Sequence, residues 1–150
     1  MIDLAKLPLS ITSFSEFCDR GKIYVDKTDL VADLAKFDAP IFLSRPRRFG
    51  KSTLVSTFHE LFSNGLDKFQ GLKIVTDNLW NDKTYKVIHL DFSIIKERRE
   101  RSFDQSLLMQ LKIAYKDLPE ITDLADNSNT YLQFFLKQQS DAKFVLLIDE

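Results

Sequence analysis

The 150-residue sequence lacks several features that would place it in a particular class of protein. It has a single cysteine, Cys18, so no disulfide can form within the chain, which suits a reducing compartment. Its longest clearly apolar run, Phe144–Ile148, is far too short to cross a bilayer. The first residues lack the long apolar core of a signal peptide. We therefore expect a cytoplasmic protein with no membrane partner.

The net charge is close to zero, and the sequence has few histidines. The sequence has 21 Lys and Arg against 22 Asp and Glu, so its formal charge of -1 gives no argument for nucleic acid as a partner. Its two histidines, His59 and His89, lack zinc-ligand spacing and assemble no convincing nucleophilic triad. A basic site must therefore be local, and the obvious one contains Arg45, Arg47, Arg48 and Lys51.

The order of apolar segments predicts an α/β fold with a largely parallel sheet, since segments with strand patterns alternate with segments with helix patterns. Strands are predicted at residues 22–25, 41–43, 87–92 and 144–148. Helices are predicted at residues 13–20, 28–37, 52–63 and 131–138, and from residue 102 onward. Ser102 and Gln105 fit a capping box, and Asn64 with Gly65 provides a helix end.

The stretch SRPRRFGKST, residues 44–53, ends like a phosphate-binding loop. Gly50 lets the backbone approach an anion, Lys51 neutralises terminal phosphates, and the Ser52 hydroxyl ligates Mg²⁺. The glycine that normally opens such a loop is missing, because Arg45 occupies its place, and Pro46 pushes Arg45 toward an extended conformation. A basic surface loop that contains Gly-Lys-Ser by chance is the alternative.

A second motif has the Walker B pattern, in which an apolar strand is followed by acidic residues. Phe144–Ile148 leads into Asp149 and Glu150. Such a strand carries Asp149 to the carboxyl edge of the sheet, where it can hold a Mg²⁺ shared with Ser52. Glu150 can orient a water for attack on the γ-phosphate. The alternative is a core strand that ends in two solvated acids.

Three motifs together resemble the prokaryotic AAA-ATPase-like family: YVDKT at Tyr24–Thr28, RPRRFGKS at Arg45–Ser52 and LLIDE at Leu146–Glu150. The resemblance covers nearly the whole chain, and the absence of the first glycine is typical of that family. It implies an AAA-type P-loop NTPase fold of the ASCE class, with a mostly parallel sheet and flanking helices. It also implies ATP and Mg²⁺ as cofactors. Members of the family usually carry a C-terminal nuclease-like domain of the PD-(D/E)XK type.

The resemblance also implies roles for residues. By this resemblance Lys51 and Glu150 are catalytic, and Ser52 and Asp149 bind Mg²⁺. The role of Tyr24–Thr28 is open between lining the nucleotide pocket and bracing the N-terminal segment, and we favour bracing. The nucleotide-binding loop comprises Arg45, Pro46, Arg47, Arg48, Phe49, Gly50, Lys51, Ser52 and Thr53.

The sequence departs from the family pattern at its end. Asp-Glu is usually followed there by Tyr-Asp and a long remainder, whereas this sequence stops at Glu150. We expect a fragment with an incomplete P-loop core at residues 39–150, after a lead-in at residues 1–38. Without a sensor strand between them, residues 41–43 and 145–148 would either leave a gap or pair directly.

The expected function is ATP binding and Mg²⁺-dependent hydrolysis. Two alternatives are open: a nucleotide-binding or interaction module that does not hydrolyse ATP, and an inactive remnant of a longer protein. A sensor and an arginine finger are normally needed for hydrolysis but not for binding, and both are missing from the sequence. Contact with nucleic acid through the nuclease-like region and assembly into a homo-oligomer are open alternatives for the partners.

Overall fold

The fold was analysed in a computed structural model that describes residues 3–37, 39–81, 83–94, 102–114, 127–138 and 143–149. The chain divides into two compact units, Met1–Tyr85 and Lys86–Glu150. The division predicted from the sequence, at residue 38, stays a prediction. The first unit contains α1 (Phe14–Asp19), α2 (Thr28–Ala35), α3 (Lys51–Asn64) and α4 (Lys73–Thr76). Short 3-10 turns lie at Leu4–Lys6 and Asp67–Phe69.

The end of α3 follows the sequence prediction. Gly65 has φ 70° and ψ -139°, a conformation that side chains with a Cβ avoid. Its N–H donates to the carbonyl oxygen of Leu61 at 3.1 Å, so it satisfies one of the carbonyls left over at the helix end. The predicted helix stop at Asn64 and Gly65 is confirmed.

Aromatic side chains dominate the core of the first unit. Phe14 stacks on Phe69 with ring centroids 4.5 Å apart, and Phe14 and Tyr24 pack edge-to-face with centroids 5.0 Å apart. Phe62 contacts Trp80 edge-to-face at 5.8 Å. Such ring pairs add about 0.5–1.5 kcal/mol each beyond the area they bury. The buried apolar residues are Phe14, Phe17, Val31, Ala32, Leu61, Phe62, Phe69, Ile74 and Trp80.

Two predicted strands of the first unit are wrong. Residues 22–25 and 41–43 belong to no helix or strand, and the described residues up to Tyr85 contain no strand. Phe42 is 86% exposed and Ile41 51% exposed. An apolar run indicates a tendency to be buried, but a strand also needs a neighbour for its N–H and C=O groups. That neighbour is absent from the described part of this unit.

The second unit contains a parallel pair of strands, β1 (Lys86–Asp91) and β2 (Phe144–Asp149). It also contains a short 3-10 turn at Phe92–Ile94 and the helices α5 (Phe103–Ala114) and α6 (Ser128–Gln138). Both predicted strands and both predicted helices of this unit are therefore present, with small shifts at their ends. The core of the unit is formed by Ile88, Leu90, Leu111 and Tyr131.

The predicted capping box at the start of α5 is confirmed. The N–H of Gln105 donates to Ser102 Oγ at 3.3 Å, and the N–H of Ser102 donates to Gln105 Oε1 at 3.2 Å. The two side chains thus satisfy backbone donors that a helix start leaves open. A local sequence pattern was sufficient to predict this geometry.

The register of β2 is given by its pairing within the second unit. Residues 145–148 pair in parallel with residues 87–90 of β1. The chain thus combines helices with a small parallel sheet, as the α/β prediction requires. The wider sheet of an AAA-type core stays a prediction. No helix in the described ranges is long and apolar enough to span a membrane.

Candidate functional site

The loop before α3 is fully open to solvent and has an unusual backbone. Every residue from 41 to 50 is exposed. Arg48 has φ 67° and Gly50 has φ 76°, so left-handed residues recur at alternate positions. For arginine this conformation costs about 1–2 kcal/mol, whereas glycine adopts it freely. Backbones of this kind form concave nests of N–H groups that bind anions. The loop therefore contains local strain at the place where the sequence predicts phosphate.

Helix α3 begins at Lys51, directly after this loop. Gly50 is its N-cap residue, and no side chain caps the helix start. The N–H groups of Lys51, Ser52 and Thr53 donate to no oxygen of the described residues. Unpaired N–H groups and the helix dipole together make such an end attractive to anions.

The basic side chains around this helix start are also unpaired. Within the described ranges, none of Arg45, Arg47, Arg48 and Lys51 forms an ion pair. The first turn of α3 contains no acidic residue. Lys51 therefore places a positive charge at the positive end of the helix dipole, which costs about 0.3–1 kcal/mol. A bound anion would turn this repulsion into attraction.

The acidic half of the predicted site lies in the second unit. Asp149 is the last residue of β2 and is half-buried, and it lies in register with Asp91 at the end of β1. Asp91 Oδ1 accepts hydrogen bonds from the N–H and the hydroxyl of Ser93. The Asp91 carboxylate is thus already hydrogen-bonded by Ser93. Asp149 accepts no hydrogen bond from the described residues, and Glu150 lies outside them.

The donor chemistry of the predicted metal ligands fits Mg²⁺. Ser52 supplies a hydroxyl oxygen and Asp149 a carboxylate oxygen, and Mg²⁺ prefers such hard oxygen ligands alongside phosphates and water. Among the described residues, no group of three or more His, Cys, Asp and Glu is placed to hold a metal by itself. A metal bound here would need oxygen atoms from its nucleotide and from water as further ligands. Ser52 belongs to the first unit and Asp149 to the second, and each is described within its own unit.

The motif at Tyr24–Thr28, which we call the brace segment, is bonded into the first unit. Asp26 Oδ1 accepts from the N–H and the hydroxyl of Thr28, at 2.9 and 2.7 Å, and Asp26 Oδ2 accepts from the N–H of Lys73 at 2.8 Å. Thr28 Oγ1 accepts from the N–H of Ile74 at 3.0 Å. The brace segment thus caps α2 and fastens it to α4, which is the role that the sequence analysis favoured.

The hydrogen bonds to Asp26 lower the pKa of its carboxyl group. Burial opposes ionisation and is the largest single influence, yet the hydrogen bonds from Thr28 and Lys73 outweigh it and lower the pKa of Asp26 below its usual 3.8. The carboxylate is therefore charged at neutral pH. A charged acceptor makes stronger hydrogen bonds than a neutral one, which strengthens the junction of α2 with α4.

The sequence analysis did not single out two residues of α3 that make hydrogen bonds inside the first unit. Ser56 Oγ accepts from the N–H of Phe14 at 2.8 Å and so connects the helix to the N-terminal segment. Thr57 is fully buried, and its hydroxyl donates to the carbonyl oxygen of Thr53 at 2.8 Å. The sequence signal for Thr57 was its place four residues before the buried Leu61, on the inward stripe of the helix.

Comparison with known proteins identifies the family. A family model described as "Predicted AAA-ATPase" matches residues 8–150. The chain therefore belongs to this AAA-ATPase-like family. It is also similar to a protein of Azotobacter chroococcum mcd 1 described as "Uncharacterized protein in vnfD 5'region", with 36% identity over 88 residues. That match covers 58% of this chain and 17% of the relative. No solved structure matches.

Family membership supports ATP use at a coarse level. The loop, Lys51 and Ser52 lie in the first unit. The roles assigned to Arg45–Thr53, Asp149 and Glu150 stay predictions. The nuclease-like domain and the idea that the chain is a fragment also stay predictions.

Proposed function

We propose that this chain binds Mg²⁺-ATP at residues 45–53 and hydrolyses it with the help of Asp149 and Glu150. The observation that carries the proposal is the start of α3, where unpaired N–H groups and unpaired cations surround a left-handed turn. In an AAA-ATPase-like chain this combination is suited to a nucleotide polyphosphate. The expected fold around it is a P-loop core with a wider parallel sheet than the two strands described.

Each residue has a definite task in this proposal. The N–H groups of residues 50–53 cradle the β-phosphate, and Lys51 neutralises charge on the terminal phosphates. Arg47 and Arg48 add charge-assisted hydrogen bonds to phosphate oxygens. Ser52 and Asp149 hold Mg²⁺, which supplies charge neutralisation when bound. Glu150 orients the attacking water.

Replacing Lys51 with alanine tests the phosphate loop. We expect Lys51→Ala to weaken Mg²⁺-ATP binding about 10- to 100-fold, the usual scale for a charged hydrogen bond. We also expect no loss of stability without nucleotide, because the change removes a cation from the positive helix end. Isothermal titration calorimetry and thermal unfolding measure the two effects. Lys36→Ala is the matched control, since Lys36 lies at the end of α2 in a loose pair with Asp33 at 3.6 Å.

Release of phosphate distinguishes hydrolysis from simple binding. Turnover that disappears in Lys51→Ala and in Glu150→Gln, while Glu150→Gln still binds ATP, supports the ATPase. Binding without turnover in the unaltered protein supports the module that does not hydrolyse ATP. Unchanged binding in Lys51→Ala contradicts the proposed site. Contact with nucleic acid and homo-oligomer formation stay predictions alongside this proposal.

A further inference from the structure

The carboxyl end of β1 is held by side chains of α5. Gln110 is half-buried on this helix, and its Nε2 donates to the carbonyl oxygen of Asp91 at 2.9 Å. The next residue, Phe92, packs edge-to-face with Phe103 at the start of the same helix, with ring centroids 5.8 Å apart. One hydrogen bond and one ring contact thus fasten the last residue of the strand, and the residue after it, to α5.

The hydrogen bond from Gln110 acts at a particular position of the sheet. Asp91 is the last residue of β1, and it pairs in register with Asp149, the last residue of β2. Neighbouring strands lie about 4.8 Å apart, so the backbone of Asp91 helps to define where Asp149 is placed. Asp149 is also the residue that the proposed function assigns to Mg²⁺. Gln110 therefore holds the backbone next to a proposed metal ligand.

This end of the sheet has a reason to need such a hold. The carboxylates of Asp91 and Asp149 belong to neighbouring strands and repel each other, because their charges have the same sign. Asp91 Oδ1 accepts from the N–H and the hydroxyl of Ser93, while its carbonyl oxygen accepts from Gln110. Hydrogen bonds to the side chain and to the backbone of Asp91 thus hold the end of β1 against this repulsion.

We infer that Gln110 is a positioning residue for Mg²⁺ binding, because its hydrogen bond to the Asp91 backbone fixes the strand end beside Asp149. This inference rests on the function proposed above. Gln110 binds no metal itself; it acts through the pairing of Asp91 with Asp149. Mg²⁺ requires nearly octahedral geometry with oxygen ligands at about 2.0–2.1 Å, so a small displacement of a ligand carboxylate weakens its binding.

Gln110→Met tests this inference, since it keeps a long, helix-compatible side chain and removes the amide donor. Isothermal titration calorimetry compares ATP binding with Mg²⁺ and with EDTA. We expect Mg²⁺-ATP affinity to fall about three- to tenfold, the usual effect of one lost hydrogen bond. Affinity for ATP without metal should stay unchanged, because the phosphate loop belongs to the first unit.

Gln133→Met is the matched control. The amide of Gln133 donates to Asn129 Oδ1 at 3.5 Å, so its hydrogen bond stays within α6. This variant removes the same chemical group from an exposed position of the same unit. It should leave ATP affinity unchanged both with Mg²⁺ and with EDTA.

Amide hydrogen exchange without nucleotide tests the hold on the strands independently of ATP. We expect faster exchange at residues 146–149 in Gln110→Met and no change in Gln133→Met. Unchanged exchange in Gln110→Met would show that Gln110 does not hold the strand end, and would overturn the inference. A purely structural role would lower the melting temperature of Gln110→Met but leave the ratio of its two ATP affinities intact, and this result would overturn the inference too.

A double-mutant cycle identifies the route of the effect. Asp149→Asn should reduce the advantage that Mg²⁺ gives to ATP binding, because it removes the proposed carboxylate ligand. The double variant should bind Mg²⁺-ATP no more weakly than Asp149→Asn alone. Additive losses would show that Gln110 does not act through Asp149, which contradicts the inference.

The same measurements separate this inference from the proposed function. If the unaltered protein binds no Mg²⁺-ATP, the proposed function fails and the inference fails with it. If Mg²⁺ strengthens ATP binding in the unaltered protein but not in Asp149→Asn, the proposed metal ligand stands. An unchanged ratio of the two ATP affinities in Gln110→Met would then overturn the inference alone.

Discussion

The phosphate loop at residues 44–50 and the brace segment at Tyr24–Thr28 belong to the same unit but use their polar groups in opposite ways. The loop is exposed, and its cations pair with no described residue. In the brace segment, the Asp26 carboxylate and the Thr28 hydroxyl accept hydrogen bonds from the backbone of α4. Polar groups that bond within the protein stabilise its fold, whereas unpaired donors and cations are suited to a ligand. Two motifs of comparable sequence prominence thus differ in whether the fold already satisfies their polar groups.

The largest expected effect is on the brace segment. Asp26→Ala removes the acceptor for three hydrogen bonds, from the N–H and the hydroxyl of Thr28 and from the N–H of Lys73. We expect the free energy of unfolding to fall by about 2–3 kcal/mol, because these donors lose a charged partner. Urea denaturation followed by circular dichroism measures the change. Asp29→Ala is the control and should cost less, since Asp29 accepts from Lys73 Nζ at 3.0 Å in a more exposed pair.

The same variant also tests the distinction between the brace segment and the phosphate loop. If Asp26→Ala leaves stability intact but removes nucleotide binding, the brace segment lines the nucleotide pocket, and the distinction between the two motifs fails. A stability loss in Asp29→Ala equal to that in Asp26→Ala would show that the backbone hydrogen bonds do not carry the effect.

The next largest effect concerns the backbone of the loop. Gly50→Ala should lower the free energy of unfolding by about 1–2 kcal/mol, because alanine is strained at φ 76°. A Cβ at Gly50 would meet no atom within 4 Å, so the cost comes from the backbone alone. Arg48→Gly should raise stability by about 0.5 kcal/mol, because relief of strain at φ 67° exceeds the added entropy cost of glycine. Thermal unfolding measures both changes.

Arg47→Gly is the control for this pair, because Arg47 has no positive φ. It should gain nothing in stability. Affinity sharpens the test, since Arg48→Gly should bind Mg²⁺-ATP more weakly while being more stable. If Arg48→Gly is more stable and binds Mg²⁺-ATP with unchanged affinity, the strain at Arg48 has no part in binding.

The smallest expected effect is the dependence of stability on acid. The folded protein lowers the pKa of Asp26 below 3.8, so the stability from this carboxylate is present above that pH and is lost as the pH falls through the lower, folded value. Asp26→Asn should therefore flatten the acid side of the stability profile. Denaturation at several pH values from 2 to 7 measures it, given ordinary aspartate pKa values near 4. An unchanged profile would contradict this assignment.

Local signals predicted the elements that depend on neighbouring residues. The capping box at Ser102, the helix stop at Gly65 and the two paired strands follow from short patterns, and the structure contains them. Helix α3 also begins within one residue of its prediction, at Lys51 instead of Ser52. Each of these features is decided within a few residues of chain, so one sequence was sufficient.

Features that depend on distant partners could not be predicted. Residues 41–43 have the apolar character of a strand, yet pairing requires a neighbour that their own sequence cannot specify. Ser56 looks like an ordinary polar helix residue, yet its hydroxyl oxygen accepts from the N–H of Phe14, 42 residues earlier in the chain. For the candidate site, the sequence could therefore propose the residues that would meet a phosphate. The contact of Ser56 with Phe14 behind them emerged only from the structure.

The hydrogen bond from the Phe14 N–H to Ser56 has a consequence for the order of folding. Helix α1 has six residues, too few to persist by itself in water, and its N-cap residue Ser13 makes no side-chain cap. The substitute acceptor lies 42 residues away along the chain. Helix α1 can therefore become stable only after α3 has formed and docked, which makes it a late step on the folding pathway. Pulsed hydrogen exchange during refolding should protect the amides of α3 before that of Phe14.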